Sequence, residues 1–258
     1  VPTSQARPRR DRVPGVPAHA PDPRTFHMSK NLVITLGLIL VAALGIGLLV
    51  VLDGGDPAAT APTARSTPTS PEPTAAPTAP AELLVREDSR HLDRVEESPV
   101  TVVEFLDFEC EACRAQFPVM ERIREDYDGR ITVVIRYFPL PGHTNSEPAA
   151  AAVEAAAQQG ALEEMYVRMY QTQAEWGESR EDRSEVFVGF AEDLGLDVAE
   201  FRRTMESPQT LERVGSDFED GVALGVQGTP TIFVNGRPTP SMPDYDTLAA
   251  MIDAELEG

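Results

Sequence analysis

The sequence predicts an α/β fold over residues 83–258, in which strands and helices alternate around an all-helical insertion. Three observations carry this. Val100–Phe108 and Ile131–Phe138 are apolar or β-branched runs separated by a helical stretch, so the two strands are expected to lie parallel in one sheet. Residues 145–225 contain no convincing strand and repeat apolar residues at helical spacing. Strand character returns at Thr231–Val234, where Asn235-Gly236 predicts a tight hairpin turn.

Charge divides the 258-residue chain unevenly. Residues 83–258 hold 15 of its 22 basic and 36 of its 42 acidic residues, a formal charge of −21 for that part. Such a surface repels nucleic acid and anionic lipid headgroups and keeps a domain solvated. Residues 1–31 begin Pro- and Arg-rich without apolar periodicity and are expected to be disordered. Met28-Ser29-Lys30-Asn31 reads as a natural start, which would make Val1–His27 an over-extended upstream segment. Leu32–Leu52 carries no charge and is about as long as a bilayer core is thick, roughly 30 Å as a helix, so it predicts a transmembrane signal-anchor. Basic residues before it and Asp53 and Asp56 after it place the rest of the chain on the extracytoplasmic side. Cleavage near Ala58–Ala61 is the alternative to a retained anchor. Residues 53–82, rich in Pro, Ala and Thr, read as an extended, semi-rigid linker.

Within the folded part, Leu83–Val85 is expected as a short edge strand and Val100–Phe108 as a central strand covered on both faces. Cys113, Phe117, Met120, Ile123 and Tyr127 mark one face of a helix ending near Gly129, with Pro118 expected to kink it. In the insertion, Pro148–Gln159 is Ala-rich, Leu162–Tyr170 and Val186–Leu194 are amphipathic, and Asp197 with Glu200 resembles a capping box. Leu211, Val214, Phe218 and Val222 continue the helical spacing to Gly225. Arg237–Thr239 can complete the hairpin, and Tyr245–Leu256 is a closing amphipathic helix.

The two cysteines of the chain stand as Cys110-Glu111-Ala112-Cys113, at the end of the central strand and the start of a helix. Unpaired N–H groups and the helix dipole at such a position stabilise a thiolate, the attacking form in thiol–disulfide exchange. A zinc site uses the same spacing, but there is no second Cys-x-x-C, and His19, His27, His91 and His143 are far apart in sequence. An inert structural disulfide is the other alternative. Glu104, among Val102, Val103, Phe105 and Leu106, is expected to be buried, and a buried carboxyl without an ionic partner has a raised pKa. Asp107, nearer the strand end, is expected to be solvated. His143, in the breaker-rich Leu140-Pro141-Gly142-His143, reads as a loop residue.

Taken together, Cys110-x-x-Cys113 behind an apolar strand, Pro118 five residues beyond, Glu104 six residues before Cys110, and Thr229-Pro230 before the last strand resemble the DsbA-like family of thiol–disulfide oxidoreductases. The resemblance implies a thioredoxin-like fold with a helical insertion across residues 83–258. It implies Cys110 as the nucleophile, Cys113 as the resolving thiol, Glu104 as a proton relay, and Thr229-Pro230 as a cis-proline loop presenting the client backbone. It implies no metal or organic cofactor. Partners would be extracytoplasmic client proteins with cysteines and a membrane, quinone-linked protein that resets the sulfurs, with no nucleic acid. Glu111-Ala112 departs from the Pro-His dipeptide of the best-known strong oxidant, which places oxidising strength in question. A reductase or isomerase fed through the membrane is the rival enzyme, and a binding module with a structural disulfide is the rival of another class.

Overall fold

A computed structural model describes residues 78–258. The expected signal-anchor at Leu32–Leu52, the upstream segment and most of the linker lie outside the described residues. Among the described residues no helix is long and apolar enough to cross a membrane.

The elements in order are α1 (Ala81–Leu84), β1 (Arg90–Asp93), β2 (Thr101–Leu106), α2 (Glu111–Asp126), β3 (Thr132–Tyr137), α3 (Ser146–Gln158), α4 (Leu162–Trp176), α5 (Ser184–Asp193), α6 (Val198–Met205), α7 (Pro208–Ala223), β4 (Thr231–Val234), β5 (Arg237–Pro238) and α8 (Tyr245–Glu257). The strands form one sheet in the order β1-β3-β2-β4-β5. As expected, β2 and β3 run parallel, with Glu104 opposite Ile135. The outer neighbours β1 and β4 are antiparallel to β3 and β2 respectively. Apolar side chains of the β2–β3 pair bury on both faces, in separate clusters. This is why β2 reads as an almost unbroken apolar run.

The five helices α3–α7 fill the expected insertion. Buried Ala149–Ala152, Ala155 and Ala156 give α3 a thin face on which its neighbours pack. Asp197 caps α6 as expected, accepting from Glu200 N at 2.9 Å. Ser207 then caps a separate α7, with Pro208 at its first position, where the missing N–H costs nothing. Leu211 and Val222, expected on the buried stripe of that helix, are exposed. Gly221 in α7 is required by close approach: a Cβ there would stand 2.6 Å from the Phe138 ring. α2 runs as one helix through Pro118.

Two local expectations are corrected. Leu83–Val85 is not an edge strand; Leu83 and Leu84 close the short α1, and their carbonyls accept from the Arg136 guanidinium. Arg136 is fully buried and also pairs with Asp217 and Asp220 of α7, so α1, β3 and α7 are joined through one paired interior charge. The edge strand is β1 instead, whose sequence Arg90-His91-Leu92-Asp93 offers one apolar residue and a bulge in place of an alternating pattern. Asp107 is buried, not solvated, for reasons that belong to the site.

Candidate active site

The turn from β2 into α2 is the centre of the site. Cys110 is the N-cap residue of α2 and donates its N–H to Asp107 O at 3.2 Å. Cys113 lies one turn inside the helix. Both are free thiols in the described structure. Cys110 is 7% exposed and Cys113 1%, so the order of accessibility agrees with the expectation, although Cys110 is more enclosed than expected.

The two sulfurs differ sharply in electrostatics. A hydrogen bond with the Cys113 thiol is the largest influence on Cys110, followed among the favourable ones by the Thr229 side chain and the N–H groups of Cys113 and Ala112. Against opposing burial, these hold Cys110 down at about 5. Burial pushes Cys113 well above the ordinary thiol value, and the hydrogen bond with Cys110 raises it further. A thiolate at a helix N-terminus beside a neutral, buried thiol is the arrangement that the Cys-x-x-C geometry favours.

Thr229-Pro230 is a cis peptide at the start of β4. It brings the Thr229 carbonyl within 3.4 Å of the Cys110 sulfur, which donates to it. Glu104 sits in the middle of β2 between Ile135 on β3 and Ile232 on β4, neither of which can pair with a carboxyl. It is 2% exposed, and burial, with a smaller contribution from Glu121, raises it to about 8. It therefore carries a proton at neutral pH, and its proximity in turn raises Cys113. The Thr229 carbonyl thus lies against the Cys110 sulfur, and Glu104 acts on Cys113.

Sequence reasoning missed the scaffold that holds this turn. Asp107 accepts from Glu109 N at 2.8 Å and Leu140 N at 3.1 Å, and its Oδ2 lies 2.6 Å from His143 Nδ1. These partners explain why a carboxylate at the end of an apolar strand turns inward. His143, set aside as a loop residue, is therefore part of the site: burial pulls its pKa down, but the Asp107 carboxylate outweighs burial and holds it above the ordinary value. The buried Glu109 carboxylate accepts from Asn145 N at 2.6 Å. From the insertion, Gln173 donates its amide to Phe108 O at 2.7 Å and Cys110 O at 2.9 Å. Nothing local in the sequence marks Gln173 or Asn145; only the breaker-rich loop around His143 gave a signal. Among the described residues no group of His, Cys, Asp and Glu has a metal-binding arrangement.

Comparison with known proteins agrees with this geometry. A protein-family model described as thioredoxin matches residues 95–254. The probable disulfide bond formation protein D of Bacillus anthracis is 34% identical over 168 residues, covering 63% of this chain and 76% of that protein. The Na(+)/H(+) antiporter NhaA of Herminiimonas arsenicoxydans is 33% identical over 172 residues, but the chain spans only 26% of that protein's length. Among solved structures, a thioredoxin-like oxidoreductase from Silicibacter pomeroyi superposes with a TM-score of 0.60 at 27% identity, covering 70% of this chain and 99% of that one. The chain belongs to the thioredoxin family and, within it, is a DsbA-like thiol–disulfide oxidoreductase.

Proposed function

We propose that this oxidoreductase works as an extracytoplasmic oxidant of client proteins, held at the membrane by Leu32–Leu52, with Cys110 as nucleophile and Cys113 as resolving thiol. The observation that supports this most directly is the opposite displacement of the two thiols. In the oxidised protein a client thiolate attacks the Cys110 sulfur, the Cys110–Cys113 bond breaks, and Cys113 leaves as a thiolate. Glu104, protonated at neutral pH and coupled electrostatically to Cys113, is the donor that returns a proton to it. A second client thiolate then attacks the client sulfur of the mixed disulfide. Cys110 departs as its stabilised thiolate, a good leaving group. The client has lost two electrons and two protons, and the protein has become the dithiol. A membrane protein linked to a quinone would accept both and restore the disulfide. The Thr229 backbone, next to the Cys110 sulfur, would hydrogen-bond an extended client segment as it reaches Cys110.

One feature favours the reductive direction. Glu111 lies next to Cys110 and has Glu178 close by, so acidic groups at the rim oppose a thiolate. Mixing oxidised protein with a reduced peptide carrying two cysteines separates the readings. Stoichiometric conversion of the peptide to its disulfide, abolished in Cys110→Ser, is expected. Rapid insulin reduction with no peptide oxidation would assign the reductase role, and neither activity would reject exchange at these cysteines.

A further inference from the structure

The site is acidic in a way that a low thiol pKa has to overcome. Asp107 and Glu109 precede Cys110 and Glu111 follows it, with Glu178 beside Glu111, and Asp107, Glu109 and Glu111 all interact electrostatically with His143. Asp107 and Glu109 are buried, where their charge is poorly screened. On α2 the nearby cation is Arg114, which is exposed and acts on Glu111. The loop that approaches from the end of β3, Pro139–Thr144, brings one titratable side chain, His143. Its ring is fixed by Asp107, whose second oxygen is occupied by Glu109 N, and whose backbone carbonyl receives Cys110 N. The imidazole is therefore tied through one residue to the backbone that places the nucleophilic sulfur. It is 28% exposed, so it exchanges protons with solvent without leaving the site.

We propose that His143, clamped by Asp107, adds a positive charge that favours the Cys110 thiolate in this acidic turn, on top of the hydrogen bonds that already hold it, and so tunes the redox poise of the protein. It is a positioning residue that acts through the field at Cys110, and it does from a distant loop what the Glu111-Ala112 dipeptide cannot do. The proposal rests on Cys110 being the attacking thiolate. The protonated imidazole offsets the Asp107 charge; its loss would remove the cation paired with Asp107 beside the turn. Stabilising the thiolate stabilises the reduced protein and makes the disulfide more oxidising. Because Asp107 raises the imidazole's pKa, the charge is present while Cys110 titrates, and it is withdrawn as pH rises through the raised imidazole pKa.

The test is the thiolate ultraviolet absorbance of the reduced full chain against pH, with the equilibrium constant against glutathione, for wild type, His143→Gln and His143→Arg. For His143→Gln the Cys110 titration midpoint should rise by about one pH unit, and the protein should shift on the order of tenfold toward its disulfide, about 30 mV for a two-electron couple. His143→Arg, whose charge is permanent, should restore both values and remove the part of the potential's pH dependence that comes from imidazole titration. An unchanged midpoint in His143→Gln, or an Arg variant that behaves like Gln, overturns the proposal. If wild-type protein fails to exchange with glutathione at all, the assignment of Cys110 fails, which is a different result from equal exchange in all three proteins.

Discussion

Glu104→Gln is the sharpest test of the buried carboxyl. The folded protein raises Glu104 from an ordinary 4.5 to about 8, chiefly because burial strips water from the charged form. The folded state therefore holds a proton that the unfolded chain releases above its own pKa. Stability falls as pH climbs through this window, because the native state binds more protons than the unfolded one. At about 1.4 kcal/mol per unit the full penalty approaches roughly 5 kcal/mol above the folded pKa, and roughly 3 kcal/mol is already felt near pH 7. Glutamine has the same shape and no charge to lose. Its stability minus that of wild type should grow by about 3 kcal/mol between about pH 5 and about pH 8, from urea unfolding under reducing conditions. Other carboxylates titrate equally in both proteins and cancel. A difference that stays flat across that range would show that Glu104 is ionised or solvated in the folded state, and would remove its candidacy as proton donor. If the donor role holds, the same variant should also slow the step in which Cys113 leaves.

Brief alkylation of the reduced protein at mildly acidic pH should modify Cys110 first, since its thiol is held at about 5 while Cys113 is pushed up; equal labelling would undo the assignment of roles. Cys113→Ser should accumulate mixed disulfides with clients, visible on non-reducing gels, because nothing remains to resolve them. Wild-type potential should fall between about −270 mV for thioredoxin and about −120 mV for DsbA, and Glu111→His should move it upward in glutathione buffers; no positive shift would show that Glu111 does not influence the poise. Arg136→Met should destabilise by about 3–5 kcal/mol in urea, because it leaves Asp217 and Asp220 buried without their shared cation; a loss near zero would mean that Arg86 and Arg213 take over the pairing.

How far the sequence could be read follows from where the information lies. β2, α2 and β3 were legible because burial on both faces of a central strand writes an unbroken apolar run, and one-sided burial of a helix writes a 3.6-residue period. The hairpin was legible from Asn235-Gly236, which adopt φ values of 46° and 78° that few other pairs tolerate. Thr229-Pro230 was legible through family resemblance, not through local physics. β1 was not legible: as an edge strand it buries little, so only Leu92 carries a signal. Asp107 was misread because its burial is compensated by partners up to 36 residues away, and a sequence window sees the charge without the partners.

The same reasoning says what the helical insertion contributes to catalysis. A Cys-x-x-C turn must expose one sulfur and yet hold its carbonyls and flanking carboxylates fixed, and its own four residues contain no side chain that does this. The missing partners come from outside: Gln173 of α4 takes the carbonyls of Phe108 and Cys110, Asn145 before α3 takes Glu109, and His143 takes Asp107. Two of these three residues, Gln173 and Asn145, come from the insertion or its first cap, so the insertion braces the Cys110 turn. Removing the Gln173 amide would orphan the Phe108 carbonyl, at about 1–3 kcal/mol, and leave the Cys110 carbonyl with only its bond from Arg114 N. The turn would then be free to relax toward water, and the low pKa of Cys110, which depends on N–H groups and a neighbouring thiol held in place, would relax with it. Gln173→Leu should therefore raise the Cys110 titration midpoint even though residue 173 touches neither sulfur. An unchanged midpoint in a folded Gln173→Leu protein would show that α2 alone keeps the turn in register.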